Sequence, residues 1–211
     1  MNLRTEPYAP QAARWPEQGK HILSQSDAEH IVVYQAYRPE IAKYAVETGR
    51  FGGGFSFTRM SWIKPNFLWM MSRSGWASKD GQTHVLALTL PRVHFDSLLR
   101  DAVASSATAA PHLTADEWKE AVATSNVRLQ WDPDNAPDGR PLARRALQLG
   151  LRGETLRRFG DEWLVSVEDV TAFVHEQRGN LDRLERLVTP AEDVYPVSDP
   201  GTRQRLGLTP E

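Results

Sequence analysis

The chain has no cysteine. Disulfides, thiolate metal sites, iron–sulfur clusters and cysteine nucleophiles are therefore excluded. No apolar run approaches the roughly 20 residues that a membrane helix needs, so no membrane contact is expected. The opening stretch, MNLRTEPYAPQAARWPEQGK, lacks a signal-peptide core, and a soluble, cytoplasmic protein is expected. The histidines (His21, His30, His84, His94, His112, His175) are scattered, with no H-E-x-x-H pair, so no metal is expected. There is no G-x-S-x-G elbow, no G-x-x-x-x-G-K-[ST] loop and no G-x-G-x-x-G turn. No pair of carboxylates stands out for acid–base work.

What is present is an ordinary globular composition: 211 residues, 40% hydrophobic and 25% charged. That length can bury a core without staples. The net charge of −2 conceals segregation. Residues 51–79 carry four bases (Arg59, Lys64, Arg73, Lys79) and no acid, and residues 140–159 carry six arginines against Glu154 alone. Acids dominate the segments after each block. Two basic blocks in an acidic chain suggest a local anion site and not a general coat for nucleic acid. The competing reading is that these cations pair with nearby carboxylates on solvated faces.

Periodicity and punctuation predict an α+β fold. Residues 1–27 read as an N-terminal arm and 189–211 as an extended C-terminal tail. Between them, residues 28–188 read as a single domain, with about five or six strands in a small split or mixed sheet flanked by helices. HIVVYQAY reads as a buried strand, followed by a helix with Pro39 at its first turn and Gly49 at its end. Residues 55–63 (FSFTRMSWI) read as a second strand and residues 66–71 as a helix. HVLALTL is the clearest strand. VRLQW is a third candidate, DPDNAPDG a turn, and residues 142–150 either helix or strand. WLVSV reads as a strand, and VTAFVHEQ and NLDRLERLV as helices.

The richest stretch is residues 51–79, where Phe51, Phe55, Phe57, Trp62, Phe67, Trp69 and Trp76 are interleaved with the four bases. These aromatics either fill the core or offer a stacking surface for a base or nicotinamide ring, with arginine and lysine for phosphate. The second reading is stronger for Arg59, Ser61, Trp62 and Lys64, at a strand end leading into a helix start. Arg73 and Trp76 follow on that helix. Gln35, Tyr37 and Arg38 end the first strand and are polar where a helix begins, although Arg38 could instead pair with Glu40. Arg145 and Gln148 form a third group, since arginine suits bidentate phosphate contacts.

The segments YQAYRPEIAKYA, FSFTRMSWIKPNFLWMMSRSGWA, HVLALTL, VRLQWDPD, LARRALQLGLRG and VEDVTAFV, in that order, resemble the bacterial and fungal family called domain of unknown function 4291. The order of strands is also similar to that of the ADP-ribosyltransferase fold. That similarity implies NAD in a cleft between two small sheets. Residues 35–38, 58–62 and 145–148 would then supply its three motifs. The chain departs from the pattern in lacking a His-then-Tyr pair and the ribose-holding glutamate of the third strand.

The expected function is binding of a phosphate-bearing ligand (NAD, a nucleotide or a nucleic-acid end) in a basic, tryptophan-lined cleft, as an ADP-ribosyltransferase-like enzyme. The alternative is a non-catalytic RNA- or DNA-binding module using the same face. A third reading makes both basic blocks structural. Convergence of Arg38, Arg59 and Arg145 on one open cleft would separate the first two from the third.

Overall fold

The longest unbroken apolar runs become strands covered on both faces, and the helices that follow them lie alongside. The computed structural model describes residues 3–210. The chain begins with β1 (Thr5–Pro7), α1 (Tyr8–Ala12), β2 (Gly19–Lys20) and β3 (Leu23–Ser24). Next come β4 (His30–Tyr37), α2 (Pro39–Thr48), β5 (Ser61–Ile63), α3 (Phe67–Ser74), β6 (His84–Pro91), α4 (Arg92–Asp101) and β7 (Val103–Ala104). The second half holds α5 (Ala115–Thr124), β8 (Val127–Asn135), β9 (Pro141–Leu151), α6 (Gly153–Asp161), β10 (Ser166–Asp169) and α7 (Thr171–Arg178). β11 (Val188–Pro190), β12 (Asp193–Val194) and α8 (Pro200–Leu206) close the described chain. The architecture is α+β.

One sheet is antiparallel, in the order β10-β6-β4, with Val33 opposite Leu88. Its two faces feed two cores. Ile31, Val33, Leu86 and Leu88 face one, and Val32, Tyr34, Val85 and Ala87 face the other. This is why HIVVYQAY shows no polar alternation. The second sheet is mixed: β8 and β9 form its antiparallel spine, β5 pairs with β9, and β2 and β7 join in parallel. Leu129, Leu147, Leu149 and Leu151 turn its inner face to the first core. The sheets meet where Tyr34 on β4 exchanges backbone hydrogen bonds with Lys64, just past β5.

Several elements differ from expectation. Only residues 61–63 of the FSFTRMSWI segment pair as a strand. The preceding residues are a loop turned by Gly52, whose carbonyl accepts from Phe55 N. Its rings cluster with themselves: Phe51 stacks on Phe55 at 4.5 Å, and both meet the Tyr37 ring edge-on. Alternating aromatics here mark a folded loop, with β9 reached only at Ser61. NLDRLERLV forms successive turns and not a helix, Arg183 N donating to Asn180 O and Arg186 N to Arg183 O. The three-residue spacing of Leu181, Leu184 and Leu187 suits such turns as well as a helix. The WLVSV strand begins later, at Ser166. Residues 142–150 lie in a strand, and β8 continues through half of the DPDNAPDG segment before turning at Gly139.

The arm and the tail are built into the body. β1 pairs with β11 and β3 with β12, so the two ends of the chain hold each other. Trp15, Ile22, Leu187, Tyr195 and Leu206 are buried. Strands of two or three residues carry no period, which is why these segments read as loose.

Candidate functional site

β4 runs out at Tyr37, and Arg38 caps α2. Beside it, β5 delivers Ser61 and Trp62, and Asn66 caps α3 by accepting from Trp69 N at 2.7 Å. These elements, the 54–60 loop and the Gly81–Gln82 turn enclose a cleft of about 520 Å³. Eight of the eleven expected residues line it: Gln35, Tyr37, Arg38, Arg59, Ser61, Trp62, Lys64 and Arg73. Ile41, Phe55, Met60 and Met70 give it apolar walls, and among the described residues no aspartate or glutamate lines it.

A polar chain runs along the cleft wall. Gln35 Nε2 donates to Ser61 Oγ at 2.7 Å and to the Trp62 carbonyl at 3.2 Å. Ser61 Oγ also lies 2.8 Å from the Tyr37 hydroxyl. Burial raises the Tyr37 pKa well above the ordinary phenol value, so this hydroxyl keeps its proton. Gln35 Oε1 is buried without a partner, a stranded acceptor on a cleft-lining residue.

The four cations differ in standing. Arg38 reaches Glu40 only at 3.7 Å, with both side chains mostly exposed, a pair of small consequence. Arg59 and Arg73 are exposed and have no ion pair or hydrogen-bonded side-chain partner among the described residues. Lys64 is only 4% exposed. Burial first, and then the nearby Arg73 guanidinium, bring its pKa down to about 8, with Asp132 opposing.

Trp62 is held in place from behind. A Cβ on Gly150 would come within 3.0 Å of the indole Cε2 and Cζ2 and 2.6 Å of Met60 Sδ. Gly150 is thus required by close approach of the ring and not by its backbone angle.

Three expected residues lie elsewhere. Trp76 is buried against Phe67, its Nε1 donating to the Pro137 carbonyl at 3.2 Å. Its indole is spent on the core. Gln148 donates to Asp132 Oδ2, while Gln130 donates to Oδ1, each at 2.7 Å. Arg145 lines a smaller hollow of about 230 Å³ with Lys20, Ser105 and Trp131, so Arg38, Arg59 and Arg145 do not share one pocket. The rest of the second basic block is structural. Arg144 forms a buried 2.7 Å ion pair with Asp134, Arg140 meets Asp138 and Arg158 meets Glu162. Arg152 donates to the carbonyls of Val122, Ala123 and Ser125, and Arg157 lies over the Phe57 ring.

A family model described as domain of unknown function (DUF4291) matches residues 21–195. The chain belongs to this family. No curated protein matches it. The DUF4291 match spans every cleft-lining residue. It includes Asp132, the countercharge to Lys64 that a proline-flanked position disguised as a turn, and it gives no support to the likeness with ADP-ribosyltransferases. Among the described residues of this DUF4291 chain, no helix is long and apolar enough to cross a membrane.

Proposed function

We propose that the cleft binds a nucleotide-sized, phosphate-bearing ligand. One observation carries the reading: Arg38, Arg59, Lys64 and Arg73 line a single cleft that, among the described residues, no carboxylate lines. Cations gathered on one cleft wall repel one another, and an anionic guest relieves that repulsion. Guanidinium forks suit phosphate oxygens. The volume falls in the range of about 300–1,000 Å³ usual for small-ligand sites. Trp62 supplies a ring for stacking a base or a nicotinamide. NAD fits this donor set as a bound ligand. With no carboxylate on the cleft wall, the reading does not extend to ADP-ribosyl transfer through a ribose-holding glutamate.

Calorimetric titration with ATP, NAD and a short single-stranded RNA tests the proposal. Micromolar binding of at least one of them is expected, with Arg59→Ala weakening it. Absence of binding by all three overturns it. The salt slope separates ligand classes: a steep fall in RNA affinity, with ATP and NAD silent, marks the alternative of a nucleic-acid-binding module.

A further inference from the structure

The chain has five lysines, at 20, 43, 64, 79 and 119. Lys43, Lys79 and Lys119 are exposed and Lys20 is half-buried; Lys64 alone of the five is buried. Its main chain is pinned. Tyr34 N donates to the Lys64 carbonyl at 2.7 Å, and Lys64 N returns a bond to Tyr34 O at 3.2 Å. The side chain has no ion pair and no hydrogen-bond partner among the described residues. Lys64 is nevertheless one of the residues that line the cleft.

The charges around it favour the neutral amine. Arg73 repels the ammonium form. The one carboxylate acting on it, Asp132, has both oxygens engaged by glutamine amides. A lysine desolvated next to another cation is an activated nucleophile. With a pKa of about 8 it holds roughly a tenth as free amine at pH 7, where an ordinary lysine holds almost none.

We propose that Lys64 is the reactive amine of this cleft, condensing with the aldehyde or ketone carbonyl of a phosphate-bearing substrate whose phosphate Arg59 and Arg73 hold. The proposal rests on the anion reading above and narrows it to phosphorylated carbonyl compounds. The Nζ lone pair attacks the carbonyl carbon and a C–N bond forms. The amine gives up its protons, the carbonyl oxygen leaves as water, and a C=N bond remains. No oxidant or reductant is consumed. The Tyr37 hydroxyl, kept protonated by burial and bonded to Ser61 on the same wall, is a donor for the departing oxygen.

The test is trapping with cyanoborohydride. The whole chain is incubated with glyceraldehyde 3-phosphate or with unphosphorylated glyceraldehyde, reduced, digested and mapped by mass spectrometry. Lys64 is expected to be modified by the phosphorylated probe about tenfold or more faster than Lys43 or Lys79. That rate should climb through pH 8, and the preference for the phosphorylated probe should shrink in Arg59→Ala. Lys64→Arg should abolish this label while Lys43 and Lys79 are modified at their wild-type rates. Modification of Lys64 no faster than of the exposed lysines overturns the proposal. If ATP still binds in that case, the anion reading survives without it. Equal rates with the two probes overturn the substrate class, and if ATP, NAD and RNA are all silent the anion reading falls with it.

Discussion

Lys64 sets the chemistry of the site and also burdens the fold. In the folded chain it loses its proton near pH 8, against 10.5 for an unperturbed lysine. Between those values the unfolded chain binds the extra proton, so this group makes stability rise with pH across that window, and its penalty is complete below pH 8. Lys64→Met is therefore expected to raise stability at pH 7 by about 3 kcal/mol, at about 1.4 kcal/mol per pKa unit. The difference from wild type should shrink towards zero by pH 10.5, followed by chemical denaturation at several pH values. An unchanged difference across the window would contradict the assigned burial. Met fills the same space without a charge. Arg59 presents the opposite case. It is exposed and unpaired, so Arg59→Ala should leave the melting temperature within about 1 °C while weakening anion affinity roughly tenfold.

At the scale of elements, the cleft depends on how α3 and β5 are fixed. Glu192, from the C-terminal segment, is buried beneath the start of α3. Its carboxylate accepts from Phe67 N at 2.7 Å and Asn66 Nδ2 at 3.0 Å. Burial pushes its pKa well above the ordinary carboxylate value. Its contribution is present below the unfolded value and is lost as pH rises through the folded one. Glu192→Ala leaves two donors unmet in the interior and should cost about 2–4 kcal/mol, measured by urea denaturation at pH 5. Gly150→Ala drives a methyl into Met60 and Trp62 and should cost about 1–3 kcal/mol. It should also weaken ligand binding, because the indole must move. Neither residue stood out in the sequence. Glu192 is one acid among many in an acidic tail, and Gly150 looks like a helix or strand end. Their roles come from contacts that span 88 or more positions of sequence, beyond the reach of local patterns. Pro39 in the first turn of α2 and the caps at Gly49 and Asn66 are local events, and Pro39 and Gly49 could be read from neighbouring letters.

On the scale of the whole molecule, the fold class and the first basic block were legible, and the second basic block misled. Residues 51–79 are free of acids in sequence, and the cleft they build is lined by none. Arg140, Arg144 and Arg158 of the second block have partners, Asp138, Asp134 and Glu162, that lie two to ten residues away and neutralise them. Charge density alone does not distinguish a site from a network of ion pairs; the distance to the nearest carboxylate does. The ends of the chain show a second limit of local reading, because β1–β11 and β3–β12 join segments that look extended in isolation. Removing residues 187–211 takes away Leu187, Glu192, Tyr195 and Leu206 from the interior. Such a truncated chain is expected to lose its cooperative thermal transition, whereas a peripheral tail would leave it intact. Calorimetric scanning distinguishes the two.

The most direct measurement is ATP affinity in wild type, Arg59→Ala, Arg73→Ala and Arg145→Ala at one fixed salt concentration. The two cleft variants should each lose about tenfold, while Arg145→Ala, in a separate hollow, should bind as wild type does. Equal losses in all three would contradict a localised anion cleft built by residues 35–82.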